Sequence, residues 1–338
     1  MQMSRRSFIG TTLASAGVAS VAVASSQKER PLSTYKRGAL GKIVGELPPG
    51  RYDTHIHVYP GVPRPDAFKA KLNKAGFVGG CIYSECPFLR YGQKKLIDPE
   101  LAMDNVIGWA AGSETIYPFY WINPGLPNAC DLVDMAVEKG IYGFKVIRND
   151  GLPVDERTLP VYQKMAKYNK PVTFHTGILW DSYPSSDYFR PANWEGLLHA
   201  PKLRFALAHI SWPWCDECIA VYGKLLNASA LRGDEVPEMF IDTTPGTPKI
   251  YRKEALTKIF TVGYDIHDHV QFGSDCKVTN YGVDWATDWV KTDLQILNEL
   301  GVSEKTVDSV FRGSMARFLF GGDNSKRTVP VPDGVIKR

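Results

Sequence analysis

Short apolar runs alternate with longer amphipathic stretches from Arg51 onward. Runs rich in valine, isoleucine, phenylalanine and tyrosine predict β-strands, and stretches whose apolar residues recur every three or four positions predict helices. In the stretch 155–168, Leu159, Tyr162 and Met165 recur in this way and mark one buried helix face. The eight predicted strands are Tyr52–Val58, Val78–Ser84, Tyr117–Ile122, Gly143–Ile147, Val172–His175, Arg204–His209, Met239–Thr243 and Val270–Ser274.

The predicted helices lie between these strands. They include 129–138, 155–168, 216–226 and 249–260, and a further helix over 284–300 follows the last strand. Strands that alternate with helices indicate a parallel sheet, because parallel neighbours need a crossover connection. Eight such repeats predict closure into a single-domain (β/α)8 TIM barrel. The alternative is a doubly wound open sheet.

The N-terminal segment is predicted to be an export signal. Residues 4–9, SRRSFI, resemble the twin-arginine signal, and a mildly apolar segment follows as far as Ala24. This segment is interrupted by glycine and serine and is shorter than the roughly 20 residues that a membrane span needs. We expect cleavage after Ala24, export by the twin-arginine machinery to the periplasm or the outside, and no stable membrane span. Residues 25–50 are then a linker or arm, 51–321 the barrel domain, and 322–338 a C-terminal tail.

Composition restricts the function further. The chain has 338 residues and a formal charge of +4, from 40 basic and 36 acidic residues without a concentrated basic block. This argues against nucleic acid and leaves a small molecule as the expected partner. Cys215 and Cys218 form a C-x-x-C pair, but no second pair completes a zinc site. A structural role is favoured for these two cysteines, and a disulfide between them after export is the alternative. The sequence does not determine the oligomeric state, and a homo-oligomer is one possibility.

Four histidines and one aspartate follow the predicted strands. The active site of a TIM barrel lies at the C-terminal ends of its strands. His55 and His57 end the first strand, His175 the fifth and His209 the sixth, and Asp275 follows the eighth. The barrel therefore brings all five side chains to one rim.

The pair of histidines in the first strand is typical of a metal site. Side chains of a strand alternate between its faces, so Asp53, His55 and His57 are expected on one side, where two imidazoles can share a divalent metal. His267 and His269 form a second H-x-H pair, but it precedes the eighth strand. We expect that pair in a solvated loop at the opposite end of the barrel.

These positions resemble the motifs of the amidohydrolase superfamily, particularly the amidohydrolase-2 branch that includes aminocarboxymuconate-semialdehyde decarboxylase. The terminal segment VFRGSMARFLFG, residues 310–321, is also similar to the family's last helix, with Ser314 where asparagine is usual. The matching residues in the barrel are His55-x-His57, His175, His209 and Gly273-Ser274-Asp275.

The resemblance implies that His55, His57, His175 and Asp275 ligate one divalent metal, most often zinc. It implies catalytic, proton-handling roles for His209 and Asp275. The leading hypothesis is a hydrolase that uses metal-activated water on a small ester, lactone or amide. The same branch contains lyases, so a decarboxylase or hydratase acting on a small unsaturated or aromatic carboxylic acid is the alternative. A catalytically silent exported protein that binds a metal or a sugar is the alternative of another class.

Lys145 ends the fourth strand. In binuclear members of the superfamily, a carboxylated lysine from that strand bridges two metals, which implies a possible second metal here. The alternative is a lysine that contacts the substrate or a carboxylate. Arg148 could hold a substrate carboxylate through two hydrogen bonds. The substrate-facing candidates beyond the strand ends are Tyr59, Glu85, Arg148, Trp180 and Asp242.

Overall fold

The computed structural model describes residues 47–88, 95–148, 150–232 and 235–322. The predicted export signal, most of the predicted arm over 25–50 and the tail beyond Gly322 lie outside the described residues. Among the helices of the described ranges, none has both the length and the apolar composition that crossing a membrane requires.

Parallel strands form one sheet in which the first eight strands pair in chain order and the ninth pairs with the first. The eight predicted strands are confirmed with small differences at their ends. The last is shorter than predicted, and a ninth strand follows beyond its predicted end at Ser274. The strands are β1 Arg51–His57, β2 Phe77–Tyr83, β3 Ile116–Trp121, β4 Gly143–Val146, β5 Val172–Phe174, β6 Arg204–Leu207, β7 Glu238–Asp242, β8 Val270–Gln271 and β9 Cys276–Lys277.

The segment 270–277 joins the two ends of the sheet. Its first part, β8, pairs with β7, and its second part, β9, pairs with β1. Between them, the carbonyl of Phe272 accepts the backbone N–H of Thr54 at 2.9 Å. The predicted TIM barrel is confirmed, and the open-sheet alternative is wrong.

Helices cover the outside of the barrel. The carboxylate of Asp98 caps α2, where it accepts the N–H groups of Glu100 and Leu101. Cys215 and Cys218 lie in the first turn of α5, and all six cysteines of the chain are free thiols. The helices are α1 Pro65–Lys74, α2 Pro99–Ala110, α3 Ala129–Lys139, α4 Leu159–Lys167, α5 Cys215–Arg232, α6 Lys249–Thr261, α7 Val283–Glu299, α8 Glu304–Asp308 and α9 Ser314–Phe320.

Helix α9 fills the N-terminal end of the barrel. The ring of Phe318 stacks on Phe119 of β3 at 6.2 Å between centroids and contacts Phe240 of β7 at 5.2 Å. Met315 and Tyr52 belong to the same buried apolar cluster. An apolar cluster thus packs at this end, and the histidines and Asp275 line a cavity at the opposite, C-terminal end.

Candidate metal centre

An irregularity in β1 places the histidines and Asp53 on different sides of the barrel wall. The register between β1 and β2 shifts between Asp53 and Ile56, as it does where a bulge adds a residue to one strand. His55 and His57 line a cavity at the C-terminal end of the barrel. The Asp53 carboxylate instead accepts the hydroxyl of Tyr281 at 2.7 Å, next to helix α1. The expectation of one shared face is therefore wrong for Asp53, because the shift interrupts the alternation.

The turn between β8 and β9 brings Asp275 into the same cavity. Asp275 has a φ of 61°, and its N–H donates to the carbonyl of His55 at 3.0 Å. The Asp53 carboxylate fixes the preceding residue, since it accepts the N–H of Ser274 at 2.8 Å and its hydroxyl at 2.5 Å. At Gly273, a Cβ would lie 2.5 Å from the Cβ of His55. Only glycine allows the turn to approach β1 this closely.

Three donor atoms converge in the cavity. Oδ1 of Asp275 lies 3.1 Å from Nε2 of His57 and 3.8 Å from Nε2 of His55. One ligand atom from each residue lies within 4.8 Å of the other two. Burial lowers the pKa of His55 well below its ordinary value. Burial opposes ionisation of Asp275, but the hydrogen bond from His57 and the nearby histidine charges hold its pKa well below the usual range. Neutral imidazole and ionised carboxylate are the forms that bind metals.

His175 and His209 face the same cavity. Their ring centroids lie 4.9 Å apart, and the ring of His209 lies 5.3 Å from that of His55. Nε2 of His175 is buried and has no hydrogen-bond partner in the described part of the chain. Nδ1 of His209 donates to the carbonyl of Pro245 at 3.1 Å, which leaves Nε2 as an acceptor. Burial lowers the pKa of both imidazoles.

The backbone around His209 is unusual. Strand β6 ends at Leu207, earlier than predicted, and His209, Ile210 and Ser211 follow with φ values of 63°, 50° and 55°. Such left-handed residues cost about 1–3 kcal/mol each where they are not glycine. The surrounding barrel therefore holds the turn that presents His209, which a continued strand would not do.

Asp242 forms a hydrogen bond with the ring nitrogen of His55 that faces away from the cavity. Its Oδ2 accepts Nδ1–H of His55 at 2.7 Å, and both side chains are fully buried. Its other oxygen accepts the backbone N–H of Thr244 at 2.8 Å and the Thr244 hydroxyl. A carboxylate at this position fixes the imidazole tautomer and leaves Nε2 available to a metal. The substrate contact predicted for Asp242 is therefore not supported, because its carboxylate bonds His55 and Thr244 and does not line the cavity.

Lys145 lies at the centre, as its place in β4 predicts. Its side chain is buried, and Nζ lies 3.3 Å from Nε2 of His55. The Nζ atom also lies 5.2 Å from the ring centroid of Tyr83. Burial lowers the pKa of Lys145 to about 8.

The cavity holds about 280 Å³, just below the roughly 300 Å³ at which the range for ligand pockets begins. Tyr59 and Trp180 both line it, and their contact with a substrate stays a prediction. Trp180 is 76% exposed, and its ring stacks near that of Trp212 at 6.4 Å. Trp212 in turn stacks near Tyr251 at 6.1 Å. The mouth of the cavity thus has an aromatic wall beside the polar centre.

Glu85 and Arg148 do not line this cavity. Glu85 is buried, and its carboxylate accepts a hydrogen bond from Asn105. Arg148 is fully buried and forms ion pairs with Asp150 at 2.9 Å and Asp155 at 3.3 Å. The substrate contacts predicted for Glu85 and Arg148 are not supported, because neither side chain lines the cavity.

The second H-x-H pair is divided between core and surface. His269 is buried, with Nε2 at 2.8 Å from Glu238 and Nδ1 at 2.5 Å from Asp268. Its ring stacks on Phe240 at 4.8 Å, whereas His267 is exposed. The expected solvated loop is therefore wrong for His269, which belongs to an ion-pair network near the N-terminal end of the barrel.

A comparison with protein families identifies the family of this chain. The model Amidohydro_2, described as Amidohydrolase, matches residues 65–321. This chain belongs to the amidohydrolase family. The matched region includes three of the five cavity residues predicted from the strand ends, namely His175, His209 and Asp275, and begins after β1 with His55 and His57. No match was found among curated proteins.

Solved structures of low sequence identity resemble this amidohydrolase, and one of them shares its fold. An uncharacterized TIM-barrel protein from Bordetella bronchiseptica is 15% identical, with a TM-score of 0.58 over 80% of this chain and 98% of that one. An amidohydrolase 2 from Bifidobacterium longum subsp. infantis is also 15% identical, with a TM-score of 0.49 over 80% and 98%. A putative amidohydrolase from Staphylococcus aureus is 12% identical, with a TM-score of 0.49 over 80% and 99%.

The residues at the centre of this amidohydrolase fit a divalent metal. His55, His57 and Asp275 supply two imidazoles and one carboxylate, a donor set that zinc and its neighbours accept. The buried Nε2 of His175 lacks a partner in the described ranges, although it lies outside the group whose atoms approach within 4.8 Å. Unpaired buried polar atoms are costly, and a metal would satisfy this one.

The amidohydrolase cavity also contains residues that sequence reasoning missed, namely Cys86, Trp121 and Lys277. Trp121 is the last residue of β3, and its ring lies 5.6 Å from that of His57. Because Trp121 lies near the end of a predicted strand, the sequence could have indicated it as a cavity residue. Lys277 pairs with His57 across the β1–β9 ladder. No local signal indicated this, because the eighth strand was predicted to end at Ser274.

Proposed function

We propose that this protein is a metal-dependent hydrolase of a small ester, lactone or amide. The observation that supports it most is the convergence of three donor atoms, from His55, His57 and Asp275, in one cavity at the C-terminal end of the barrel. His175 is proposed as a further ligand. The volume of about 280 Å³ suits a substrate of one ring or a short chain.

When bound, a divalent metal lowers the pKa of water and polarises a carbonyl oxygen. Asp275, ionised in the free protein, is the group that accepts a proton from the attacking water and returns it to the leaving atom. His209 presents its free Nε2 to the same cavity and is proposed to hold the substrate oxygen or to move a proton there. The apolar walls reduce the access of bulk water to the reacting groups.

The proposed cofactor is one zinc ion. A second metal bridged by a carboxylated Lys145 is the competing arrangement, and the lowered pKa of Lys145 makes its neutral amine accessible for carboxylation. Metal analysis of the purified protein distinguishes the two. One equivalent per chain supports the proposal, and two equivalents with a carboxylated lysine would replace it with a binuclear site.

A substrate panel tests the reaction. Lactones, aryl esters and cyclic amides are compared with small unsaturated and aromatic carboxylic acids, and both hydrolysis and carbon dioxide release are measured. Asp275→Asn should lower the turnover of any hydrolysed substrate by at least about 100-fold, the range for a lost acid–base group. Carbon dioxide release without hydrolysis would show a decarboxylase instead. Metal or sugar binding without turnover of any compound would favour the silent alternative.

We also propose that the protein is exported by the twin-arginine route and works in the periplasm or outside the cell. The arginine pair at residues 5 and 6, the mildly apolar segment after it and the small residues at 22–24 support this proposal. The route carries folded proteins, which suits a protein that takes up its metal before export.

A further inference from the structure

Of the two lysines that line the cavity, Lys277 is the one whose side chain forms no hydrogen bond to the metal centre in the described residues. The lining contains two lysines and one aspartate besides the histidines. Lys145 is buried against His55, and Asp275 belongs to the metal centre. In the described part of the chain, Lys277 has no ion pair with a carboxylate and no hydrogen bond from its side chain. It is therefore a cation in the cavity that the metal centre does not use.

The position of Lys277 is fixed by the barrel. In β9 it pairs with His57 of β1, and the neighbouring Val278 N–H donates to the His57 carbonyl at 3.0 Å. Paired residues of parallel strands lie about 4.8 Å apart and point to the same face. The side chain of Lys277 therefore begins directly beside a proposed metal ligand and projects into the same cavity.

Tyr59 holds the ammonium group without neutralising it. Nζ of Lys277 lies 4.4 Å from the centroid of the Tyr59 ring, and both residues line the cavity. A cation over a ring face is attracted to the ring, while its outward N–H groups stay free to donate. This arrangement orients a positive charge and leaves its hydrogen-bonding capacity for a ligand.

We propose that Lys277 binds a carboxylate group of the substrate, which makes the substrate a small organic anion with one negative charge near the hydrolysed bond. This inference rests on the proposed hydrolase function and names its substrate class. A single free ammonium balances one charge, and the apolar walls disfavour a second unpaired one. Lys277 thus takes the role that the sequence suggested for Arg148, whose guanidinium is paired with Asp150 and Asp155.

Binding of benzoate and benzamide to the metal-loaded full-length enzyme tests this role. The two probes have the same ring and differ in charge. We expect the parent and Lys277→Arg to prefer benzoate. Lys277→Met should weaken benzoate binding about 10-fold, the size of one charge-assisted hydrogen bond, and leave benzamide unchanged. Lys305→Met removes the same charge from helix α8 outside the cavity and should change neither affinity.

Chelation of the metal removes the confounding possibility that benzoate binds only the metal. The difference between the parent and Lys277→Met should persist after chelation. A parent enzyme without a preference for benzoate, or a Lys277→Met variant that retains it, would overturn the proposal. Because Lys277 is exposed, unchanged thermal unfolding of the variant confirms that the fold is intact.

Measurements of ester turnover distinguish the role of Lys277 from the proposed hydrolase function. Phenyl acetate and 4-acetoxybenzoate carry the same ester and differ by one ring carboxylate. Lys277→Met should lower kcat/KM about 10-fold for 4-acetoxybenzoate alone, mainly through KM. If neither ester reacts but the benzoate effect remains, the ester hydrolase function fails and the role of Lys277 stands. If both esters react equally well in the parent and in Lys277→Met, the hydrolase stands and the role of Lys277 fails.

Discussion

The carboxylate of Asp242 decides which nitrogen of His55 carries the proton. Because Oδ2 accepts Nδ1–H at 2.7 Å, Nε2 keeps a lone pair directed toward the cavity. An asparagine amide could donate to Nδ1 and so favour the tautomer whose Nε2 is protonated. The metal affinity of the centre therefore depends on a residue that does not line the cavity.

Asp242→Asn should lower metal affinity about 10- to 100-fold while the protein stays folded. The measurement is a competitive zinc titration with a chromogenic chelator, accompanied by circular dichroism. Asp131→Asn, an exposed change on α3, is the matched control and should leave affinity unchanged. An unaltered zinc affinity in Asp242→Asn would show that this contact does not orient His55.

At the scale of elements, the turn between β8 and β9 must lie against β1. Gly273→Ala would bring a Cβ to 2.5 Å from the Cβ of His55, so either the turn or the histidine must move. We expect a loss of about 1–3 kcal/mol in the free energy of unfolding, the usual cost of overpacking. We also expect weaker zinc binding, because Asp275 follows in the same turn.

Urea unfolding and zinc titration of Gly273→Ala measure the two effects. Gly61→Ala is the control, since the nearest atoms to a Cβ there are 3.9 Å away. A Gly273→Ala protein with the zinc affinity of the parent would mean that the turn tolerates displacement without moving Asp275.

The opposite end of the barrel contains an ion-pair network around Glu238. Burial alone would raise the pKa of Glu238, but the hydrogen bond and charge of His269 and the charge of Arg317 lower it to about 2. A carboxyl group whose folded pKa lies below its unfolded value stabilises the protein above the unfolded pKa. That contribution is lost as the pH falls from about 4.5 to about 2.

Glu238→Gln should therefore destabilise the protein by about 3 kcal/mol at pH 7, because folding lowers the pKa of Glu238 from 4.5 to about 2. The difference between parent and variant in the free energy of unfolding should shrink as the pH falls below 4.5. Chemical denaturation at several pH values between 7 and 3.5 measures this. A difference that stays constant with pH would exclude Glu238 as the titrating group.

At the scale of the whole molecule, the proposed export signal and the proposed metal centre lie in different segments of the sequence. The arginine pair lies in residues 4–9, outside the described barrel, so its replacement should affect location and not chemistry. Arg5→Lys combined with Arg6→Lys should leave most of the protein in the cytoplasm of a bacterial host. Cell fractionation with immunoblotting measures this. Equal periplasmic amounts for the parent and the double variant would contradict the twin-arginine route.

The amino-acid sequence by itself determined the fold and the composition of the site. Apolar runs predicted all eight strands, because a buried strand needs apolar residues in its own segment whichever strands it pairs with. Because barrel sites lie at strand ends, the sequence then predicted five side chains at one rim. The structure has all five in one cavity, namely His55, His57, His175, His209 and Asp275.

Only the tertiary structure decided what each polar group contacts. Asp242 reaches His55 across 187 residues of sequence, and Lys277 becomes a cavity residue because β9 pairs with β1. The register shift that turns Asp53 away from the histidines is likewise a property of the β1–β2 pair. These contacts depend on strand register and on close approach between distant segments. Local apolar patterning carries no information about either, because it reports burial and not partners.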